Sequence, residues 1–240
     1  MHPSFEYLLL CDIDNTLTGD DAALRTLMTL LEEKRGHIGF GVATGRSIES
    51  TAQILGTLGI DRVDVSITAV GSEIYYDDGS LLDEEWRAHI DHAWRRETVI
   101  ESLSSIEGVY LQAHPLAQRA HKASFVLDDA RRMGAVERAL DGTTVRYRAI
   151  LSHGNYLDIL PHRASKGLAI AHVAKRFGIA DKKIIVAGDS ENDRSMLEGP
   201  YLGILVANHE ESLGDLKECY RAKTPFAGGV AEGLQWWGVL

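Results

Sequence analysis

Leu8-Leu9-Leu10-Cys11-Asp12-Ile13-Asp14-Asn15-Thr16-Leu17-Thr18 is an apolar run that stops at two carboxylates, two residues apart, and passes into a polar turn. Strand side chains alternate, so Asp12 and Asp14 would share a face if the strand ran through them. At a strand end of an α/β sheet both can instead turn into the crevice where ligands bind. Acids this close repel, and each shifts the other's pKa unless a cation sits between them. Taken alone, the pair reads equally well as a solvated strand end or as part of a site.

The chain on either side repeats one grammar. Asp20 or Asp21 caps a helix to about residue 35, with Leu24, Leu27, Met28 and Leu31 at helical spacing. Residues 38–43 form a buried strand ending at Thr44-Gly45-Arg46-Ser47. Ser47 then caps a helix whose stripe is Ile48, Ala52, Leu55 and Leu58. Residues 63–70 make a third strand. Much later, residues 166–177 form a helix with Leu168, Ile170, Ala171 and Ala174 inward, and residues 184–187 a strand ending at Gly188-Asp189-Ser190-Glu191-Asn192-Asp193. Residues 202–206 add a strand, and Trp236-Trp237 in the tail reads as packing. Strands alternating with amphipathic helices predict an α/β fold, a doubly wound and mostly parallel Rossmann-like sheet.

Between about residues 80 and 160 the grammar changes. Residues 86–103 read as one helix, and 109–113 with 122–127 as paired strands. A helix capped by Asp128 or Asp129 runs to Leu140, and 144–151 with 156–160 form a hairpin turning through Ser152-His153-Gly154-Asn155. The order α-β-β-α-β-β predicts an inserted α+β domain over 80–160, with the core domain split into 1–79 and 161–240. Ala123, Phe125 and Leu127 alternate with Lys122, Ser124 and Val126, so one sheet face is expected to be open and to cover something.

Composition narrows the function. The 240 residues carry 35 acidic and 25 basic side chains, a net charge of −10, with no basic stripe. Nucleic-acid binding is therefore not expected, and an anionic substrate needs a local cation. Two cysteines, Cys11 and Cys219, make neither a disulfide framework nor a zinc site. No apolar run approaches a membrane span and no signal-peptide layout opens the chain, so a cytoplasmic protein, free of membranes and monomeric, is the expectation.

Three polar clusters directly follow apolar strands: Asp12/Asp14, Thr44-Gly45-Arg46, and Asp189 with Asn192 and Asp193. Lys166 opens the helix just after the insert. A parallel sheet brings strand ends to one edge, where these groups can converge. In this order they resemble the haloacid dehalogenase-like phosphatase superfamily. Asp12-Ile13-Asp14-Asn15-Thr16 matches its Asp-x-Asp-x-Thr signature, Thr44 its second-strand Ser/Thr, Lys166 its lysine, and Gly188-Asp189-Ser190-x-Asn192-Asp193 its late acidic motif. The insert is similar to that superfamily's C2B-type cap. Thr44-Gly45-Arg46-Ser47, Thr68 to Tyr75, Asp158-Ile159-Leu160-Pro161 and Ser165-Lys166-Gly167 look most like the sucrose-phosphate phosphatases.

The resemblance implies a Mg²⁺-dependent phosphatase acting on a small sugar phosphate, sucrose 6-phosphate first. It implies Asp12 as nucleophile and metal ligand, Asp14 as proton donor and acceptor that lends its main-chain carbonyl to the metal, and Asp189 as a further ligand. Asn192 and Asp193 would orient that shell. Thr44, the amides that follow it and Lys166 would hold the phosphoryl oxygens. Gly45 and Arg46 belong with the phosphate or sugar, and Lys122, Asn155 and Asp158 are the cap's polar candidates. A phosphatase for mannosylfructose phosphate or mannosyl-phosphoglycerate, a phosphomutase, and a non-catalytic sugar-phosphate sensor partnering a glycosyltransferase are the alternative readings.

Overall fold

The fold is described from a computed structural model, which covers residues 5–240. The apolar run forms strand β1 (Tyr7–Cys11), and the repeated grammar adds β2 (Ile38–Ala43) and β3 (Val65–Thr68), then β4 (Glu73–Tyr76) and the short β5 (Leu81–Leu82). The small layer holds β6 (Val109–Leu111), β7 (Ala123–Leu127), β8 (Tyr147–Ser152) and β9 (Tyr156–Pro161). The chain then returns through β10 (Ile184–Gly188), β11 (Leu202–Leu205) and β12 (Cys219–Arg221).

These strands build two sheets. The large one has eight strands in the order β12-β11-β10-β1-β2-β3-β4-β5. Its first six are parallel, and β4 and β5 are antiparallel additions. Strand β1 lies between β2 and β10, so the chain winds outward from it in both directions. That is the switch point where α/β sheets open a crevice beyond their strand ends. β1 has both faces covered. Leu8 and Leu10 pack into one core with helices α3 (Glu84–Ile90) and α6 (Lys166–Phe177). Leu9 and Cys11 pack into the other with α1 (Asp21–Glu33), α2 (Ile48–Thr57) and the last helix (Phe226–Trp236). A strand buried on both faces needs an unbroken apolar run, and Leu8 to Cys11 provides it.

The small sheet is antiparallel, ordered β6-β7-β9-β8. Helices α4 (Arg96–Ser104) and α5 (Met133–Asp141) bury Val99, Leu103, Val136 and Leu140 against Ala123, Phe125, Leu127, Leu157 and Ile159. Its other face lies over the large sheet's crevice, which buries Lys122 and Ser124 and leaves Tyr156 half exposed.

Several local expectations change. Residues 86–103 form two helices, α3 and α4, broken where Ala93 takes a left-handed φ of 57°. β5 pairs with β4, and Trp86 and Ile90 bury in the large sheet's core, so the chain leaves that sheet after Ile90 rather than near residue 80. Leu168 and Ala171 face outward on α6; its buried face is Ala169, Ile170, Val173 and Ala174. Ala52 is likewise exposed on α2, where Thr51 and Leu55 are buried. Trp237 packs, but Trp236 remains 66% exposed, stacked on Tyr220. No helix among the described residues is long and apolar enough to cross a membrane.

Candidate active site

Strands β1, β2 and β10 are adjacent and parallel, so the residues following them meet at one edge: Asp12, Thr44 and Asp189. Lys166, the first residue of α6, reaches in from below. Its Nζ donates to Asp12 Oδ1 at 2.7 Å and to Asp193 Oδ1 at 2.6 Å, and the lysine is fully buried. Asp193 Oδ2 accepts the amides of Asp189 (3.0 Å) and Ser190 (3.1 Å). Both oxygens of Asp193 are thus occupied, and it braces the Asp189 loop. Thr16 donates to Asp189 Oδ1 at 3.0 Å.

Close backbone approaches make this packing possible. A Cβ on Gly188 would lie 2.4 Å from Asp193 Cγ, and one on Gly71 would lie 2.3 Å from the Ser165 carbonyl. Gly71 also has a left-handed φ of 88°. Beside it, Ala69 and Val70 take left-handed φ of 50° and 59°, a costly conformation for a β-branched residue. The Ala69 amide donates to the Arg46 carbonyl (2.7 Å) and the Val70 amide to the Thr44 carbonyl (3.0 Å), so the strained turn pins the Thr44-Gly45-Arg46 loop.

The electrostatics are dominated by three buried carboxylates, Asp12, Asp189 and Asp193, with ligand atoms within 4.8 Å of one another. Burial raises Asp12 above the usual carboxylate range, a rise that Lys166 opposes and Asp193 adds to. Burial, then the charges of Asp193 and Asp12, pushes Asp189 up to about 8. Burial works against the charge of Lys166 too, but Asp12 and Asp193 hold it protonated, above its ordinary value. One lysine facing three acids leaves the cluster short of positive charge. The carboxylate set suits a hard divalent cation such as Mg²⁺, and Asn192 Oδ1 is buried without a hydrogen-bond partner beside it.

Above this edge a cleft of about 470 Å³ separates the two sheets. Asp12, Asp14, Gly45, Arg46 and Asn192 line it from the large sheet, and Lys122 and Asp158 from the small one. Thr44 and Lys166 are fully buried beneath it, with Thr44 Oγ1 accepting the Arg46 amide at 3.2 Å. Lys122 Nζ spans the cleft to the Gly45 carbonyl (3.3 Å) and pairs with Asp158 (3.4 Å), which also accepts from Ser124 Oγ. The Asn155 side chain is not brought into the cleft; its carbonyl accepts the Leu127 amide at 2.8 Å, tying the hairpin turn to β7.

Sequence reading missed Gln112, His114, His153 and Tyr156, which line the cleft from the small sheet. Strand alternation could have placed Tyr156 on the Asp158 face, but nothing local marks the other three. It also missed Arg119, which crosses from the small layer to Glu73 (2.7 Å) and Glu49 (3.0 Å) of the large one.

A family model described as sucrose-6F-phosphate phosphohydrolase matches residues 5–238. The chain belongs to that family. Among solved structures, the sucrose-phosphatase of Synechocystis sp. PCC6803, in complex with sucrose and phosphate, matches at a TM-score of 0.92 and 31% identity, covering 98% of each chain. The mannosylfructose-phosphate phosphatase of Agrobacterium fabrum is 28% identical over 242 residues, 97% of each chain. Sucrose-phosphatase 2 of Nicotiana tabacum is 28% identical over 86% of this chain, which spans only 51% of that plant protein. A haloacid dehalogenase subclass IIB sugar phosphatase, at 16% identity and a TM-score of 0.74, shares the fold. The family makes this chain a phosphoric monoester hydrolase, and its fold is that of the haloacid dehalogenase phosphatases.

Proposed function

We propose that this chain hydrolyses a sugar phosphate, sucrose 6-phosphate first, through a phosphorylated Asp12. The observation that carries the reading is the meeting of Asp12, Asp189 and Thr44 at three adjacent strand ends over the buried Lys166. Asp12 attacks phosphorus, the bond from phosphorus to the sugar oxygen breaks, and that oxygen takes a proton from Asp14, which enters this step as the neutral acid and leaves it as the carboxylate. Water then attacks the same phosphorus and gives its proton back to Asp14. The bond to Asp12 breaks, and both acids are restored. Lys166 fixes Asp12 and favours its ionised form against the effect of burial. The Gly45 amide donates to a phosphoryl oxygen, while the Arg46 amide stays on Thr44 Oγ1. Mg²⁺, held by the carboxylates of Asp12 and Asp189 and the main-chain carbonyl of Asp14, would offset the charge on the transferring group. Asn192 and Asp193 orient that shell.

The small sheet and its two helices act as the cap that chooses the sugar, with Lys122 and Asp158 its polar contacts. The end-to-end likeness to a mannosylfructose-phosphate phosphatase favours mannosylfructose phosphate as the second reading. Phosphate release from both substrates, with Mg²⁺ and with EDTA, tests the proposal, and the ratio of kcat/KM chooses between them. Asp12→Asn should abolish metal-dependent release while leaving the fold intact. A fully active variant would remove Asp12 as nucleophile.

A further inference from the structure

Asp14 is the acid of the opening motif that Lys166 does not touch. Arg46 takes both of its carboxylate oxygens, Nε donating to Oδ2 at 2.8 Å and Nη2 to Oδ1 at 2.7 Å. The third nitrogen, Nη1, donates to Ser50 Oγ at 2.9 Å. At its other end the arginine is tied down by its own backbone. Its amide donates to Thr44 Oγ1, and its carbonyl accepts from Ala69. Asp14 lies outside regular structure, followed by Asn15 at a left-handed φ of 56°. Among the described residues, Arg46 is the side chain that fixes its carboxyl. A fork-to-carboxylate pair sets the plane as well as the position of the acid, which a point charge does not.

We infer that Arg46 is a positioning residue for proton transfer, acting on the reaction through Asp14 rather than by gripping the phosphate. The inference rests on the reading of Asp14 as the group that protonates the departing oxygen. Three of the five guanidinium N–H donors are already spent on Asp14 and Ser50, which leaves a poor grip for a phosphate.

The departing group separates this role from the others. A sugar oxygen needs a proton as it leaves; p-nitrophenolate leaves without one. The ratio kcat/KM reports the steps up to that departure, so it isolates the first proton transfer. In Arg46→Ala, kcat/KM for a sugar phosphate should fall about 10²-fold or more, the range for lost general acid catalysis. For p-nitrophenyl phosphate it should change only a few-fold. Arg46→Lys should recover little of the loss. On the sugar phosphate, Asp14→Asn with Arg46→Ala should be no worse than Asp14→Asn alone, because the two act as one unit. Equal losses on both substrates in both Arg46 variants would mark a merely structural role and overturn the proposal. A raised KM at unchanged kcat on both would make Arg46 a phosphate binder and overturn it too. If wild-type protein releases phosphate from no ester, the reading of the site fails and the inference falls with it. An active wild type with uniform variant losses sinks the inference alone.

Discussion

Asp12, Thr44 and Asp189 stand just past the ends of neighbouring parallel strands, whereas Lys122, Ser124 and Asp158 stand on or beside antiparallel strands of the small sheet, on one face. The first group is positioned by topology. Three strands in register deliver three loops to one edge, and the buried Lys166 ties two of the acids together. The second group is positioned by docking, and its place over the cleft depends on how the small layer is held down. Under the proposed function, the large sheet carries the chemistry that does not depend on the sugar, and the small sheet carries the choice of substrate. Damage to the two layers should separate accordingly.

The largest effect is expected where topology and charge coincide. Lys166→Met leaves Asp12 and Asp193 facing one another in a buried site with no cation of the chain between them. Breaking such a network by removing one partner costs about 3–5 kcal/mol, read as a fall in the urea midpoint. The kcat for any phosphate ester should drop by about 10²–10³-fold or more. A variant as stable as wild type that loses activity only on the sugar phosphate would contradict this assignment of jobs to the two layers.

Asp83 is the next test, between β5 and α3. Its buried carboxylate accepts from Tyr76 (3.0 Å), the Trp86 amide (2.9 Å), His172 (3.0 Å) and Arg176 (3.3 Å). Burial acts against its charge, but the Trp86 amide, His172 and Tyr76 outweigh it and hold the carboxyl below its ordinary value. Its stabilisation is therefore complete above the ordinary carboxylate range and is lost as pH falls through the lowered value. Asp83→Asn should cost about 2–3 kcal/mol near neutrality and flatten the acid side of the stability profile. An unchanged acid limb would show that other carboxylates govern it. The cap's own packing around Phe125 should be untouched.

How far each layer was legible in the sequence follows from the same contrast. An apolar run ending in Asp12 and another ending in Asp189 announce themselves locally, because a strand buried on both faces tolerates no polar residue until it emerges. The parallel core and the meeting of Asp12, Thr44, Lys166 and Asp189 could thus be written down from order alone. Alternation in β7 separates Phe125 from Ser124 and leaves a face expected to cover something, but nothing local says which surface it meets. Asn155 shows the limit: it is a polar turn residue beside His153 and Tyr156, yet its side chain does not line the cleft as theirs do, and its main-chain carbonyl ties the turn to Leu127. The outward turn of Leu168 and Ala171 has the same origin. Apolarity puts Leu168 and Ala171 in the helix stripe, whereas the chain turns Gly167, against the Ser195 carbonyl, and Ala169 inward.

The smallest effect belongs to the docking itself. Arg119, 18% exposed, sits in the loop before β7 and bonds Glu73 through Nε and Glu49 through Nη1. Glu73 is the more buried partner, at 12%, and also accepts from Thr68 and Tyr75. It therefore keeps donors when the arginine is lost. Glu49 is half exposed, and its share should be small and screened by salt. Arg119→Ala should lower overall stability by about 1 kcal/mol or less but weaken the hold of the small layer. The KM for a sugar phosphate should rise several-fold with kcat little changed, and p-nitrophenyl phosphate should be turned over almost as before. Glu73→Gln should give the same pattern, and the double variant should add little to either single one, since both break one contact. Additive losses, or equal losses on both substrates, would mean that Arg119 supports the large sheet and that something else holds the cap.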